Sequence, residues 1–160
     1  MADGYRGGVG SDIALRGARR GDYDGIIGVV DDWWGRPVRQ ALPRLFLDHF
    51  CDTSFIAESR DGELAGFCVG FLSPARPEAA YIQFVAVAPA RRGSGLARRL
   101  YEAFFALAAE RGRTVARAVT GPANADSVAF HSALGFTVTG PVPDYDGPGS
   151  PKIVFERPLP

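Results

Sequence analysis

The chain has 160 residues, 46% of them hydrophobic, enough apolar material to build a real core for one domain. Lys+Arg and Asp+Glu both count 18, so the formal charge is zero, which removes the overall positive field of a general nucleic-acid binder. No apolar run approaches the roughly 18 residues of a membrane span, and the first residues lack the hydrophobic stretch of a secretory signal, so the chain reads as cytoplasmic with no membrane partner. Residues 1–11, rich in glycine and poor in aliphatics, read as a flexible tail ahead of a single domain over residues 12–160. The two cysteines, Cys51 and Cys68, sit in apolar neighbourhoods without metal-ligand spacing and read as small buried thiols of a reducing compartment.

In chain order, "DIALRGA" over residues 12–18 is a short strand, and "GDYDGIIGVVDD" is an acidic helix whose apolar residues Ile26, Ile27 and Val30 lie three or four apart. In "VRQALPRLFLDHF", Leu42, Leu45, Phe46 and Phe50 fit a second helix, with Pro43 in its first turn or at a kink. "TSFIAES" and "LAGFCVGFLS" flank "RDGE", a hairpin signal because Asp-Gly tolerates the positive φ of a tight turn. "AAYIQFVAV" is apolar on both faces and reads as a central strand. A helix follows over residues 95–111, burying Leu96, Leu100, Phe104 and Leu107 and stopping at Gly112. "TVARAVT" is a strand, "NADSVAFHSALGF" a short helix, and the last stretch two strands around a turn-rich loop. The order is mixed αβ, an α+β chain with one right-handed parallel β-α-β unit at its centre.

That central unit carries the clearest chemistry. The first turn of a helix has backbone N–H groups without internal partners and about half a positive charge, so it attracts an anion. In "ARRGSGLA", Gly93 and Gly95 clear side chains from the backbone while Arg91 and Arg92 add full charges, which suits a pyrophosphate. The spacing is neither G-x-x-x-x-G-K-[ST] nor G-x-G-x-x-G. Taken alone, such a turn is equally an ordinary strand-to-helix connection with solvated arginines.

Arg92-x-x-Gly95-x-Ala97, followed some thirty residues later by Asn124-Ala-Asp-Ser127 and Phe130-His131 with Gly135-Phe136, resembles the GNAT superfamily of acyl-CoA-dependent N-acyltransferases. The resemblance covers about residues 13–155. It implies a twisted, mostly antiparallel sheet with a central splayed parallel strand pair and flanking helices. It further implies acetyl-CoA as co-substrate, and a homodimer, common among relatives, stays open; no metal is expected, and the acceptor is expected to be a small-molecule amine or an amino-sugar-like molecule. Cofactor contacts carry over to Val85, Ala86 and Val87 on the strand, Arg91, Arg92, Gly93, Ser94, Gly95, Leu96 and Ala97 at the turn, and Asn124, Ser127, Phe130 and His131 on the later helix. Asn124 equally fits a helix N-cap and Ser127 a helix-start residue.

Two departures bear on catalysis. Where many relatives have a tyrosine that protonates the leaving thiolate, this chain has His131, which can exchange a proton near neutrality. Read without the resemblance, an inward histidine is a hydrogen-bonded core residue. Where relatives often carry a glutamate base, this chain has Gln83, which cannot be a base and is expected to hold a water or the acceptor. Tyr145 is a further candidate for proton transfer. The acceptor is expected between "VVDDWWGRP" and "PVPDYDGPG", at Asp32, Trp33, Trp34, Gln83 and Tyr145, since carboxylates and aromatic faces both attract an ammonium. The Trp pair equally fits loop packing, and "DYDGPG" a simple turn. The function expected is N-acetyl transfer by direct attack in a ternary complex. The alternatives are a peptide or protein N-acetyltransferase, and a non-catalytic acyl-CoA sensor or interaction module.

Overall fold

The structure is a computed structural model and describes residues 12–160; the tail expected over residues 1–11 lies outside the described residues. A seven-stranded sheet forms the frame. Its strands are β1 (Ile13–Gly17), β2 (Phe55–Ser59), β3 (Leu64–Leu72), β4 (Ala79–Val87), β5 (Val115–Thr120), β6 (Thr137–Val142) and β7 (Lys152–Pro158), in the order β1-β2-β3-β4-β5-β7-β6. Only the β4/β5 pair is parallel. It is joined by the long helix α4 (Leu96–Glu110). The short helices α1 (Tyr23–Ile27), α2 (Val30–Trp34) and α3 (Leu45–Phe50) cover one face. Helices α4 and α5 (Ala125–Ala133) cover the other, and each face holds its own apolar cluster.

The "RDGE" hairpin forms as expected between β2 and β3, with Gly62 at φ 78°. β4 lies at the centre of the sheet, as its two-sided apolar pattern implied. Two expected helices are interrupted. The acidic one divides at Gly28 into α1 and α2, because Gly25 and Gly28 supply no helix-favouring side chain and the β-branched Val29, the cap of α2, is stretched to φ −118°. The second breaks at Pro43, which lacks an N–H and pushes Leu42 out of the helical region to φ −130°, ψ 69°. The helix restarts as α3 in a new phase, so Leu42 and Leu47 are fully buried while Leu45 is 48% exposed. α4 buries a broader face than the Leu96–Leu100–Phe104 stripe, adding Tyr101, Phe105 and Ala108 and leaving Leu107 half-buried, since it lies between the sheet and the aromatic end of α5. Cys68 is buried and its thiol is pushed up to about 12 by desolvation; Cys51, expected to be buried, is only half so.

One irregularity positions the site. Val69 pairs with Phe84 but Gly70 with Ile82, so Gln83 is an extra residue in β4, a β-bulge. Before it Ala80 and Ile82 join the cluster under α4; after it Val85 and Val87 do, while Phe84 and Ala86 turn to the opposite face. The bulge thus reverses which side chains face which layer. Its backbone groups find partners in buried hydroxyls: Thr53 Oγ1 donates to the Gly70 carbonyl at 2.5 Å, and Gly70 N–H donates to Ser54 Oγ at 3.2 Å.

Candidate active site

β4 and β5 pair only at Ala79–Val115, Ala80–Ala116 and Tyr81–Arg117, then diverge as β5 follows its antiparallel partner β7. Beyond Tyr81 the β5-facing edge of β4 has no strand partner. Ala88 N–H donates to Ala65 O on the β3 side, so alternation directs the N–H and C=O groups of Val85 and Val87 into the gap. The gap opens into a cleft of about 950 Å³, the size of a cofactor-plus-substrate site.

Between Arg92 and Ala97, which border the cleft, Gly93 and Gly95 hold φ of 75° and 82°, conformations that side-chain-bearing residues adopt at a cost, and Gly95 is the N-cap of α4. A Cβ on either glycine would meet nothing within 4 Å, so the turn is open on the side its side chains would take. There is no acidic residue in that turn. Arg92 borders the cleft and donates to the Trp33 carbonyl; Arg91 instead pairs with Asp12 at 2.7 Å and lies off the cleft wall.

The structure brings Val85, Ala86, Val87, Arg92 and Ala97 together with Asn124, Ser127, Phe130 and His131 on one wall system. Gln83, Trp33, Trp34 and Tyr145 border the same cleft. Outside its lining are Arg91, Gly93, Ser94, Gly95, the buried Leu96 and the exposed Asp32. Asn124 is an N-cap: its Oδ1 accepts from Ser127 N–H at 3.2 Å, and its Nδ2 donates to Thr120 Oγ1. Gln83 Nε2 donates to Ala41 O at 2.9 Å, pinning the turn Arg39–Ala41 to β4. Trp34 lies 5.0 Å from Phe84 and Trp33 stacks on Phe67, so both rings are packed while their edges border the cleft. In the last loop Asp144 Oδ1 accepts from Gly149 N–H, a turn role, while Tyr145 and Asp146 border the cleft.

The reading of the sequence missed Tyr101, Tyr81, Arg36 and Lys152, all of which border the cleft. Tyr81 is pushed up to about 12 by burial and by nearby Tyr145 and Asp146. Arg36 stands over the Trp34 ring at 5.3 Å, and Lys152 pairs with Asp146 at 3.5 Å. The signal for Tyr101 was available: a phenol on the buried stripe of α4 requires a partner for its hydroxyl.

His131 has that partner, with Tyr101 Oη 2.9 Å from its Nε2 and the Ser127 carbonyl 2.7 Å from its Nδ1. A carbonyl cannot donate, so Nδ1 carries the proton in the neutral ring and Nε2 accepts from the phenol. The ring stacks on Phe155 with centroids 3.9 Å apart. Burial holds its pKa below the usual imidazole value, opposed by the Ser127 hydrogen bond. Because the folded state binds the proton less readily than the unfolded one, this neutral histidine's contribution is fully present above about pH 6.5 and lost as pH falls below it. Denaturation at about pH 7 and about pH 5 should therefore show a fall in stability, at most about 1.4 kcal/mol per pH unit from this group, that His131→Gln flattens. An unchanged pH dependence in the variant would assign the fall elsewhere.

Among the described residues no helix is long and apolar enough to cross a membrane, and no cluster of three or more His, Cys, Asp or Glu could hold a metal ion. A sequence model of the acetyltransferase (GNAT) family matches residues 26–136, from the end of α1 to just past α5. The chain belongs to the GNAT acetyltransferase family. This GNAT domain is 34% identical over 104 residues to the L-2,4-diaminobutyric acid acetyltransferase of Halomonas elongata, covering 64% of this chain and 54% of that protein. It is 41% identical over 85 residues to the enzyme of the same name from Chromohalobacter salexigens, covering 46% and 44%. The chain thus spans about half the length of the curated relatives it matches. Its fold matches the diaminobutyrate acetyltransferase of Paenibacillus lautus, solved with L-2,4-diaminobutyric acid and coenzyme A, with a TM-score of 0.72 at 22% identity over 92% of this chain and 95% of that one.

Proposed function

We propose that this GNAT domain transfers an acetyl group from acetyl-CoA to a primary amine of a small molecule, in the cytoplasm, and that the acceptor is a short diamino acid of the L-2,4-diaminobutyric acid type. The observation that carries the reading is one cleft of ligand size that runs from the β4/β5 splay to Arg92 and Ala97, which flank the bare N-terminus of α4.

The residues fit the co-substrate end to end. The first-turn amides of α4 and the Arg92 guanidinium suit a diphosphate. The gap-facing backbone of Val85 and Val87 offers an extended amide-bearing arm the hydrogen bonds that β5 does not supply. In this reading a backbone N–H near Val85 stabilises the oxyanion as an amine attacks the thioester carbonyl. At the other end, Arg36 over Trp34 supplies a cation for an amino-acid carboxylate, and Asp146 with the Trp34–Phe84 wall suits an ammonium. The relatives named for diaminobutyric acid support the same acceptor class.

Release of free thiol from acetyl-CoA, measured across L-2,4-diaminobutyric acid, single-amine amino acids, aminoglycosides and peptides, tests this. Turnover greatest with the diamino acid is expected. Turnover confined to peptides would overturn the small-acceptor reading, and background release with every amine despite tight acetyl-CoA binding would make the domain a sensor.

A further inference from the structure

Resting on the acetyl-transfer reading, we propose that the Tyr101 hydroxyl is the group that exchanges protons with the reacting atoms, and that His131 acts behind it as the base that stores the proton.

Five observations converge. Both residues are buried, at 4% and 6% exposure, yet both border the cleft. Their hydrogen bond is 2.9 Å long. Each nitrogen of His131 is already committed, Nδ1–H to Ser127 O and Nε2 to the phenol, so the imidazole has no N–H left to hand directly to a sulfur. The pair is also held rigid, with His131 stacked on Phe155 and edge-on to Phe130 and Phe136, and Tyr101 edge-on to Phe130. Gln83, the polar side chain β4 presents to the cleft beyond Tyr81, holds no exchangeable charge.

The surroundings contain little else that titrates. From β3, Cys68 faces Tyr101 and remains a thiol; α5 contributes Ser127 and Phe130, β7 contributes Phe155, and the turn before β6 contributes Phe136. The carboxylates that border the cleft are Asp126, exposed in the first turn of α5, and Asp146, paired with Lys152. Burial keeps Tyr101 fully protonated and His131 neutral, which is the starting state the exchange requires.

The step balances without another reactant. A neutral amine attacks the thioester carbon and the C–N bond forms. As the nitrogen loses its proton to Tyr101 Oη, the phenol's own proton passes to His131 Nε2, giving an imidazolium whose Nδ1–H stays bound to Ser127 O. The C–S bond then breaks, the phenol hydrogen goes to the thiolate, and the imidazolium returns its proton to Oη. One proton has moved from nitrogen to sulfur, and the pair ends as it began.

Tyr101→Phe keeps the ring and its packing and removes only the hydroxyl. It is expected to lower kcat at least about 100-fold, within the range typical of a lost proton-transfer group, with acetyl-CoA Kd unchanged within about twofold. The acid limb of the kcat profile, set by His131, should disappear with it. Nitrogen-15 NMR of the ligand-free protein at about pH 7 should report a neutral ring protonated on Nδ1. A Tyr101→Phe variant with near wild-type kcat and an intact acid limb, or a ring protonated on Nε2, overturns the proposal while leaving acetyl transfer standing. A wild-type protein with no turnover on any acceptor overturns the functional reading itself.

Discussion

Replacing Gly95 by aspartate should weaken acetyl-CoA binding by about 10³-fold while leaving the fold intact. Gly95 sits at φ 82°, where aspartate is among the better tolerated side-chain-bearing residues, and a Cβ there would touch nothing within 4 Å. A carboxylate at this end also interacts favourably with the helix dipole, which offsets the backbone cost, so stability should change by less than about 1 kcal/mol. The same carboxylate would occupy the space before the first-turn amides and repel a diphosphate. Two lost charge-assisted hydrogen bonds, each worth roughly 1.5–3 kcal/mol, account for the expected factor. Calorimetric titration with acetyl-CoA reads it directly; binding within threefold of wild type would remove the turn from the site.

Gly70→Ala should be strongly destabilising. Its Cβ would lie 2.4 Å from Phe104 Cε2 and 2.9 Å from the Tyr81 carbonyl, and Phe104 is fully buried. Neither neighbour has room to yield, since one is backbone and the other is packed between sheet and helix. Overpacking of this kind costs about 3 kcal/mol, or roughly 6–12 °C in Tm for a chain of this size. Adding Phe104→Leu should recover part of the loss by giving the new methyl space, a coupling that scanning calorimetry of the four-member cycle would register. Simple additivity of the two changes would mean that the contact is not the cause.

The parts legible in the sequence were those governed by local rules. β4 was readable because a nine-residue run apolar on both faces has few homes outside a sheet centre, and the β2–β3 hairpin because Asp61-Gly62 dictates its turn. The bare start of α4 after Gly95 was readable because helix-end electrostatics depend on a few adjacent residues. What escaped depends on tertiary geometry. The phase of α3 was lost because Pro43 breaks the helix and restarts it out of register. The bulge at Gln83 is invisible to periodicity, since it is defined by the register of β3 against β4. Tyr101 escaped because its role depends on His131, thirty residues away on another helix, and on the Ser127 carbonyl that fixes the imidazole tautomer. Arg91 and Arg92 look alike in sequence, but Asp12 binds the first while the second stands at the cleft.

The central claim is that backbone left unpaired by the parting of β4 from β5, together with the bare first turn of α4, binds acetyl-CoA and aims its thioester at Tyr101. A crystal structure with acetyl-CoA tests this most directly. Diphosphate oxygens are expected on the amides between Gly93 and Ala97, with the pantetheine arm hydrogen-bonded to Val85 and Val87 and the thioester within reach of Tyr101 Oη. Acetyl-CoA bound elsewhere, or a gap between β4 and β5 closed against it at saturating concentration, would contradict it.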